Sequence, residues 1–250
     1  MAPRAGTLLL VLVFSGCGND SPRGPASPAT PDVPVQQCRR YATALTNVST
    51  TFVTGQQIGS EESGACTFDR TSATLRCTYT GSAPDCAGSR TTSTVYASVV
   101  DFVEEAAVVG RFRHQRLVMQ ISGCPGSSNS TESNTYDGTK RPLTRQFANS
   151  QGVRASSTFT AWDALGRQTR EMADTTTCTQ SRWVSTYDDT ARTWTSRLTE
   201  AGAGRGCLSD YALTTAYDSS GNIVREVTTL HGVKTWSLTS TITSTDTVCF

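Results

Sequence analysis

No excess of either charge runs through the 250 residues: 22 Lys and Arg stand against 21 Asp and Glu, and 17% of side chains are charged. A nucleic-acid binder must offset one phosphate after another, so a chain this balanced lacks that footprint and nucleic acid is excluded as a partner. Apolar runs are missing apart from one short N-terminal stretch, which excludes a polytopic helical membrane protein. Histidine occurs only at His114 and His231, and no C-x2-C pair exists, so no zinc spacing is present and no metal site is expected. There is no G-x-S-x-G elbow, no H-E-x-x-H pair and no G-x-x-x-x-G-K loop. Neither a cofactor nor a catalytic residue is expected.

Hydroxyls and cysteines are abundant instead. Ser and Thr account for 69 residues and Cys for 9. Thr, Tyr, Trp and Val suit pleated, half-buried strands, so the expectation is an all-β protein. The N-terminus has a positive start (Met1 to Arg4), an apolar core (Leu8 to Phe14) and small residues ahead of Cys17. This is the layout of a secretory signal. The segment resembles a bacterial lipoprotein signal peptide, with Phe14 standing where leucine is usual. The resemblance implies cleavage after residue 16, lipidation of Cys17 with palmitate-type acyl chains, and anchoring of the protein to a membrane of the bacterial envelope, the outer membrane in the first place. Residues 17–37 carry prolines at 22, 25, 28, 31 and 34 and almost no apolar side chains, so they read as an extended tether. The folded domain is expected over 38–250.

With Cys17 assigned to lipid, Cys38, Cys66, Cys77, Cys86, Cys124, Cys178, Cys207 and Cys249 form an even set in an exported chain, and four disulfides are expected.

A degenerate signature recurs four times: Tyr136-Asp137 to Arg141, Trp162-Asp163 to Arg167 with Gly166, Tyr187-Asp188 to Arg192, and Tyr217-Asp218 to Asn222 with Gly221. Ser/Thr/aromatic runs flank each one, so each reads as the tip of a β-hairpin. Asp can accept from the backbone two residues on, and Gly166 or Gly221 supplies the left-handed position of a type I turn with a G1 bulge. Counting from each aromatic, Leu143/Phe147, Thr169/Ala173, Trp194/Leu198 and Val224/Thr228 share one strand parity and are expected on the buried face. Thr144, Arg170, Thr195 and Arg225 are expected outside. These signatures are similar to the YD repeat of Rhs-type bacterial proteins, Tyr-Asp-x-x-Gly-Arg followed by a strand, over about residues 130–245. The resemblance implies an antiparallel sheet of stacked hairpins. The encapsulating role of the large family members does not carry over to four copies.

Cys66-Thr-Phe-Asp69 followed by Leu75-Arg-Cys77 is a fainter tip of the same kind, in which the two cysteines can face each other. Asp101-Phe-Val-Glu104 reads as a capping box opening a short helix, 101–109, between strands at 91–99 and 111–121. Cys86, Cys124, Cys178 and Cys207 precede opening strands at the end away from the tips, so Cys178–Cys207 and Cys86–Cys124 are the expected pairs. Cys38, Cys66, Cys77 and Cys249 form the other two in an order left open. His114 is expected on a solvated strand face with Arg116, and His231 in a turn. The function that follows is structural or binding and non-catalytic, with glycan or envelope protein as partner. The alternatives are a polymer hydrolase without a recognisable motif and a carrier of a hydrophobic ligand, which would need a large apolar cavity.

Overall fold

The computed structural model describes residues 36–53, 56–83, 86–123, 129–205 and 207–250. The signal segment, the lipidation position Cys17, the tether up to residue 35 and Cys124 lie outside them, and with Cys124 the expected Cys86–Cys124 pair.

Fourteen antiparallel strands follow one another around a closed barrel. They are β1 (Cys38–Val53), β2 (Gln56–Asp69), β3 (Thr74–Ala83), β4 (Cys86–Tyr96), β5 (His114–Ser122), β6 (Ser130–Tyr136), β7 (Pro142–Asn149), β8 (Arg154–Trp162), β9 (Gln168–Thr175), β10 (Ser181–Asp188), β11 (Thr193–Glu200), β12 (Tyr211–Tyr217), β13 (Ile223–Leu230) and β14 (Val233–Cys249). The all-β antiparallel expectation holds, but the hairpins are not a stack. Each pairs with the next, and β1 pairs with β14 from Cys38↔Cys249 to Thr51↔Trp236, which removes both sheet edges.

Three disulfides join described residues. Cys38–Cys249 locks the seam between first and last strands, Cys66–Cys77 crosses β2 and β3, and Cys178–Cys207 ties two loops at the rim opposite the tips.

Alternation along the strands sets the polarity of the two faces. On β8, Ser157 and Phe159 are buried while Arg154, Ser156, Thr158 and Thr160 are exposed. On β2, Gly64 and Cys66 are buried while Glu61, Ser63 and Thr67 are exposed. Phe147, Ala173, Trp194, Leu198 and Thr228 lie on the inward side as their parity predicts, whereas Leu143 is 36% exposed at the rim. A membrane-spanning barrel has an apolar outer band, and an arginine on its lipid face costs about 2–4 kcal/mol at mid-depth. An outer wall of Ser, Thr, Arg76, Arg154 and Arg197 is a water-facing wall.

One mouth is filled from within. The link between β4 and β5 carries α1 (Val99–Ala107), which folds onto the barrel interior. The helix begins two residues earlier than 101 because Ser98, not Asp101, caps it: the Ser98 hydroxyl accepts from the Asp101 amide (3.2 Å) and donates to the Asp101 carboxylate (2.8 Å). Its Phe102 is fully buried, stacked on Phe68 (4.0 Å) and edge-on to Tyr41 and Tyr96. With Val103, Ala73 and Val248 these rings form the hydrophobic core. Burying one such aromatic stabilises by about 3 kcal/mol. The expected strand at 111–121 is shortened to β5, because residues 108–113 leave the helix as a strap across the same mouth.

Candidate binding site in the plugged barrel

The four aromatic-Asp tips all lie on the rim that the helix and strap fill, and their chemistry is local. Asp137, Asp163 and Asp218 each accept from the amides two and four residues on (2.8–3.0 Å). Their second oxygens accept from Arg141, Arg167 and Asn222 (2.7–2.9 Å). Asp188 accepts from the Ala191 amide (2.8 Å). The bonds from the Arg141 backbone and Thr139 hold the Asp137 carboxyl well below its ordinary range. Gly166 (φ 73°) and Gly221 (φ 80°) occupy the left-handed turn position. The tip aromatics reach beyond their own turns. They reach to carbonyls: Tyr136 to His114 (2.7 Å), Trp162 to Pro142 (2.9 Å) and Tyr187 to Gln168 (2.6 Å), while Tyr217 faces the interior.

The tips grip the plug. Lys140 contacts Asp101 (2.7 Å), and Arg167 donates to the Val109 carbonyl while bridging Asp163 (2.7 Å) and Asp189 (2.6 Å). At Gly221 an added Cβ would sit 2.6 Å from the Ala106 Cα, and at Gly110 it would meet the Tyr187 ring. Thus the motif's arginine, which by itself only closes a turn, at Arg167 also fastens a neighbouring tip and the strap.

Beneath the strap lies the feature that sequence reasoning misplaced. His114 is buried, not solvated: Nδ1 is 3.1 Å from Glu105 and Nε2 is 3.1 Å from Glu132. The cause is a register irregularity between Val95↔Arg116 and Tyr96↔His114 that turns His114 inward, out of simple alternation. Burial opposes the charged ring, yet Glu105 and Glu132 outweigh it and push its pKa up to about 9. Burial likewise opposes both carboxylates, but His114 and Arg39 hold Glu105 at about 2, and His114, Arg145 and Asn134 hold Glu132 at about 2. Glu105 thus ties the helix to the barrel wall. It joins α1 to His114 and, through an oxygen, to the Arg113 amide (2.7 Å). Both nitrogens of His114 are engaged by carboxylates, so neither is free to activate a nucleophile. His231 sits in the β13–β14 turn at φ 51°.

Under the plug is a cavity of about 360 Å³. Leu45, Leu75, Leu117, Leu238 and Ile242 supply its apolar wall, and Ala106 to Phe112 its roof. Its charged groups are Arg39, Arg90, Arg111, Arg192, His114, Glu105 and Glu226, with Asn47, Thr94, Asn222 and Ser240 among its neutral polar ones. Arg90 pairs with Glu62 (2.7 Å) over the Tyr79 ring. Glu226 accepts from the Thr215 hydroxyl (3.2 Å), has no ion-pair partner among the described residues, and burial pushes its pKa up. Apart from Arg192 and Asn222, which close the Tyr187 and Tyr217 signatures, and Leu75, in the fainter Cys66–Cys77 tip, these lumen residues belonged to no sequence motif. Their only trace was strand parity, shared by Leu117, Met119 and Ile121 and by Leu238, Ser240 and Ile242.

Fold and site together define a plugged antiparallel barrel with a water-facing wall and a mixed apolar and basic lumen. No family model matches the chain, and no curated protein sequence matches it. Among solved structures, a porin-like protein from Bacteroides uniformis is similar at 10% sequence identity and a TM-score of 0.33, over 80% of this chain and 96% of that one.

Proposed function

We propose that the protein is a bacterial envelope lipoprotein, anchored at the outer membrane through acyl chains on Cys17, whose barrel is a non-catalytic binding domain that carries a small amphipathic molecule in its lumen. The observation that carries this reading is the distribution of polarity. The wall faces water, and beside the ring cluster around Phe102 the inward apolar side chains of the strands line a cavity. Cavities of 300–1,000 Å³ with apolar walls and a few placed polar groups are the common form of ligand sites.

Palmitate labelling that is abolished by Cys17→Ala and by globomycin tests the anchor. Binding is tested with the full-length protein in lipid nanodiscs and the neutral dye N-phenyl-1-naphthylamine. Dye fluorescence should exceed that of a Leu238→Trp variant with the cavity filled. Equal signals from the two proteins would refute lumen binding.

A second reading keeps the outer face as the contact surface for glycan or an envelope protein. It is favoured by an outer groove of about 550 Å³ whose lining includes Thr131, Gln146, Arg154, Ser156 and Asp174.

A further inference from the structure

Three arginines of the lumen lining each carry a buried N–H donor with no hydrogen-bond partner among the described residues: Nε of Arg39, Nε of Arg111 and Nη2 of Arg192. An unmet donor in the interior costs about 1–3 kcal/mol, and more on a charged group. Arg113, Arg145, Gln168 and Trp194 also hold a buried donor without a hydrogen-bond partner, but Arg39, Arg111 and Arg192 line the cavity, where a ligand can reach them.

The other bonds of these residues show where each is held. Arg39 is 8% exposed, lies over the Phe102 ring (4.2 Å) and donates through Nη1 to the Phe102 carbonyl (2.9 Å). Arg192 donates through Nε to the Asp218 carbonyl (2.6 Å), and Arg111 through Nη2 to the Leu165 carbonyl (3.2 Å). Among the described residues no carboxylate lies within ion-pair distance of any of the three; Glu105, whose charge Arg39 supports from farther off, is itself paired with His114. By contrast Arg90, also on the cavity wall, is neutralised by Glu62.

Resting on the lumen-binding reading, we propose that the molecule carried is an amphipathic anion: a carboxylate or comparable headgroup bound by Arg39, Arg111 and Arg192 under the plug, with an apolar body against Leu45, Leu117, Leu238 and Ile242. Charge-assisted bonds from guanidinium to an oxyanion are about twice as strong as neutral ones, and they would satisfy donors that the fold leaves unmet. Glu226, on the β13 wall opposite Leu238, sets the limit on the ligand: a second anionic group along the body is repelled, so a single head is selected.

The test uses the full-length protein in nanodiscs with bound N-phenyl-1-naphthylamine, displaced by decanoate, 1-decanol or decylammonium, which share a chain and differ in the head. Decanoate should displace the dye at a concentration at least about tenfold lower than either of the others, net of its effect on empty nanodiscs. Arg111→Gln and Arg192→Gln should each remove most of that preference while leaving binding of the neutral dye intact, which also shows that the variants are folded. Dye binding with no preference for decanoate, or a preference unchanged in both variants, would overturn the anion proposal and leave the lumen reading standing. Absence of dye binding to the wild-type protein would overturn both.

Discussion

Replacing His114 by Gln removes the one cation held between two buried carboxylates. Glu105 and Glu132 are 17% and 22% exposed in their side chains, so water compensates little when the imidazolium is gone. The difference between a folded-state pKa of about 9 and the ordinary 6.5 is worth about 3 kcal/mol. Loss of one partner of a buried pair costs about 3–5 kcal/mol, which agrees. The three groups titrate as one cluster, so their contributions are not summed. Because the His114 pKa is raised, its contribution is complete below pH 6.5 and disappears as pH rises through about 9. Because the Glu105 and Glu132 values are lowered, theirs is complete above pH 4.5 and disappears as pH falls through about 2. Stability from the cluster should therefore plateau between about pH 4.5 and 6.5. Urea unfolding with disulfides intact, followed by tryptophan fluorescence from pH 4 to 10, measures this. His114→Gln should lose about 3 kcal/mol at pH 6 and lack the decline above neutrality. A variant within about 0.5 kcal/mol of wild type, or one that keeps the alkaline slope, would refute the clamp.

Arg167 is 5% exposed whereas the Arg141 side chain is 45% exposed, so Asp163→Ala should destabilise more than Asp137→Ala, by about 1–2 kcal/mol, read as separate thermal melts. Gly221→Val places a branched side chain at φ 80° against Ala106, and its cost of about 3 kcal/mol should appear as hydrogen exchange in α1 faster than in the barrel strands. The Cys38–Cys249 bond closes a ring of sequence separation 211, for which chain entropy gives about 5 kcal/mol, so Cys38→Ser with Cys249→Ser should lower the urea midpoint more than Cys66→Ser with Cys77→Ser, whose separation is 11.

Strand content and the hairpin tips were legible because their causes are local. Asp163 and Gly166 act within five residues, and Thr-rich alternation needs no partner to be read. Closure of the barrel was not legible, because it rests on β1 meeting β14 across the whole domain. Cys38 and Cys249 stand at the ends of those strands, yet an even cysteine count left their pairing open. The helix was visible in outline, but its start was set by the Ser98 hydroxyl rather than by Asp101. His114 was misplaced by one irregular step of register, and with it went the cluster that joins α1 to the wall. Arg111 and Arg192 gave no sign of a shared cavity because one lies on the strap and the other on a tip, and only the closed fold brings them together.

Native mass spectrometry of the full-length protein purified from cells that express it, beside the Leu238→Trp variant prepared identically, tests the central claim most directly. Lumen carriage predicts a discrete small-molecule mass on the wild-type protein that is lost from the variant. Bare wild-type protein, or the same added mass on both, would contradict it.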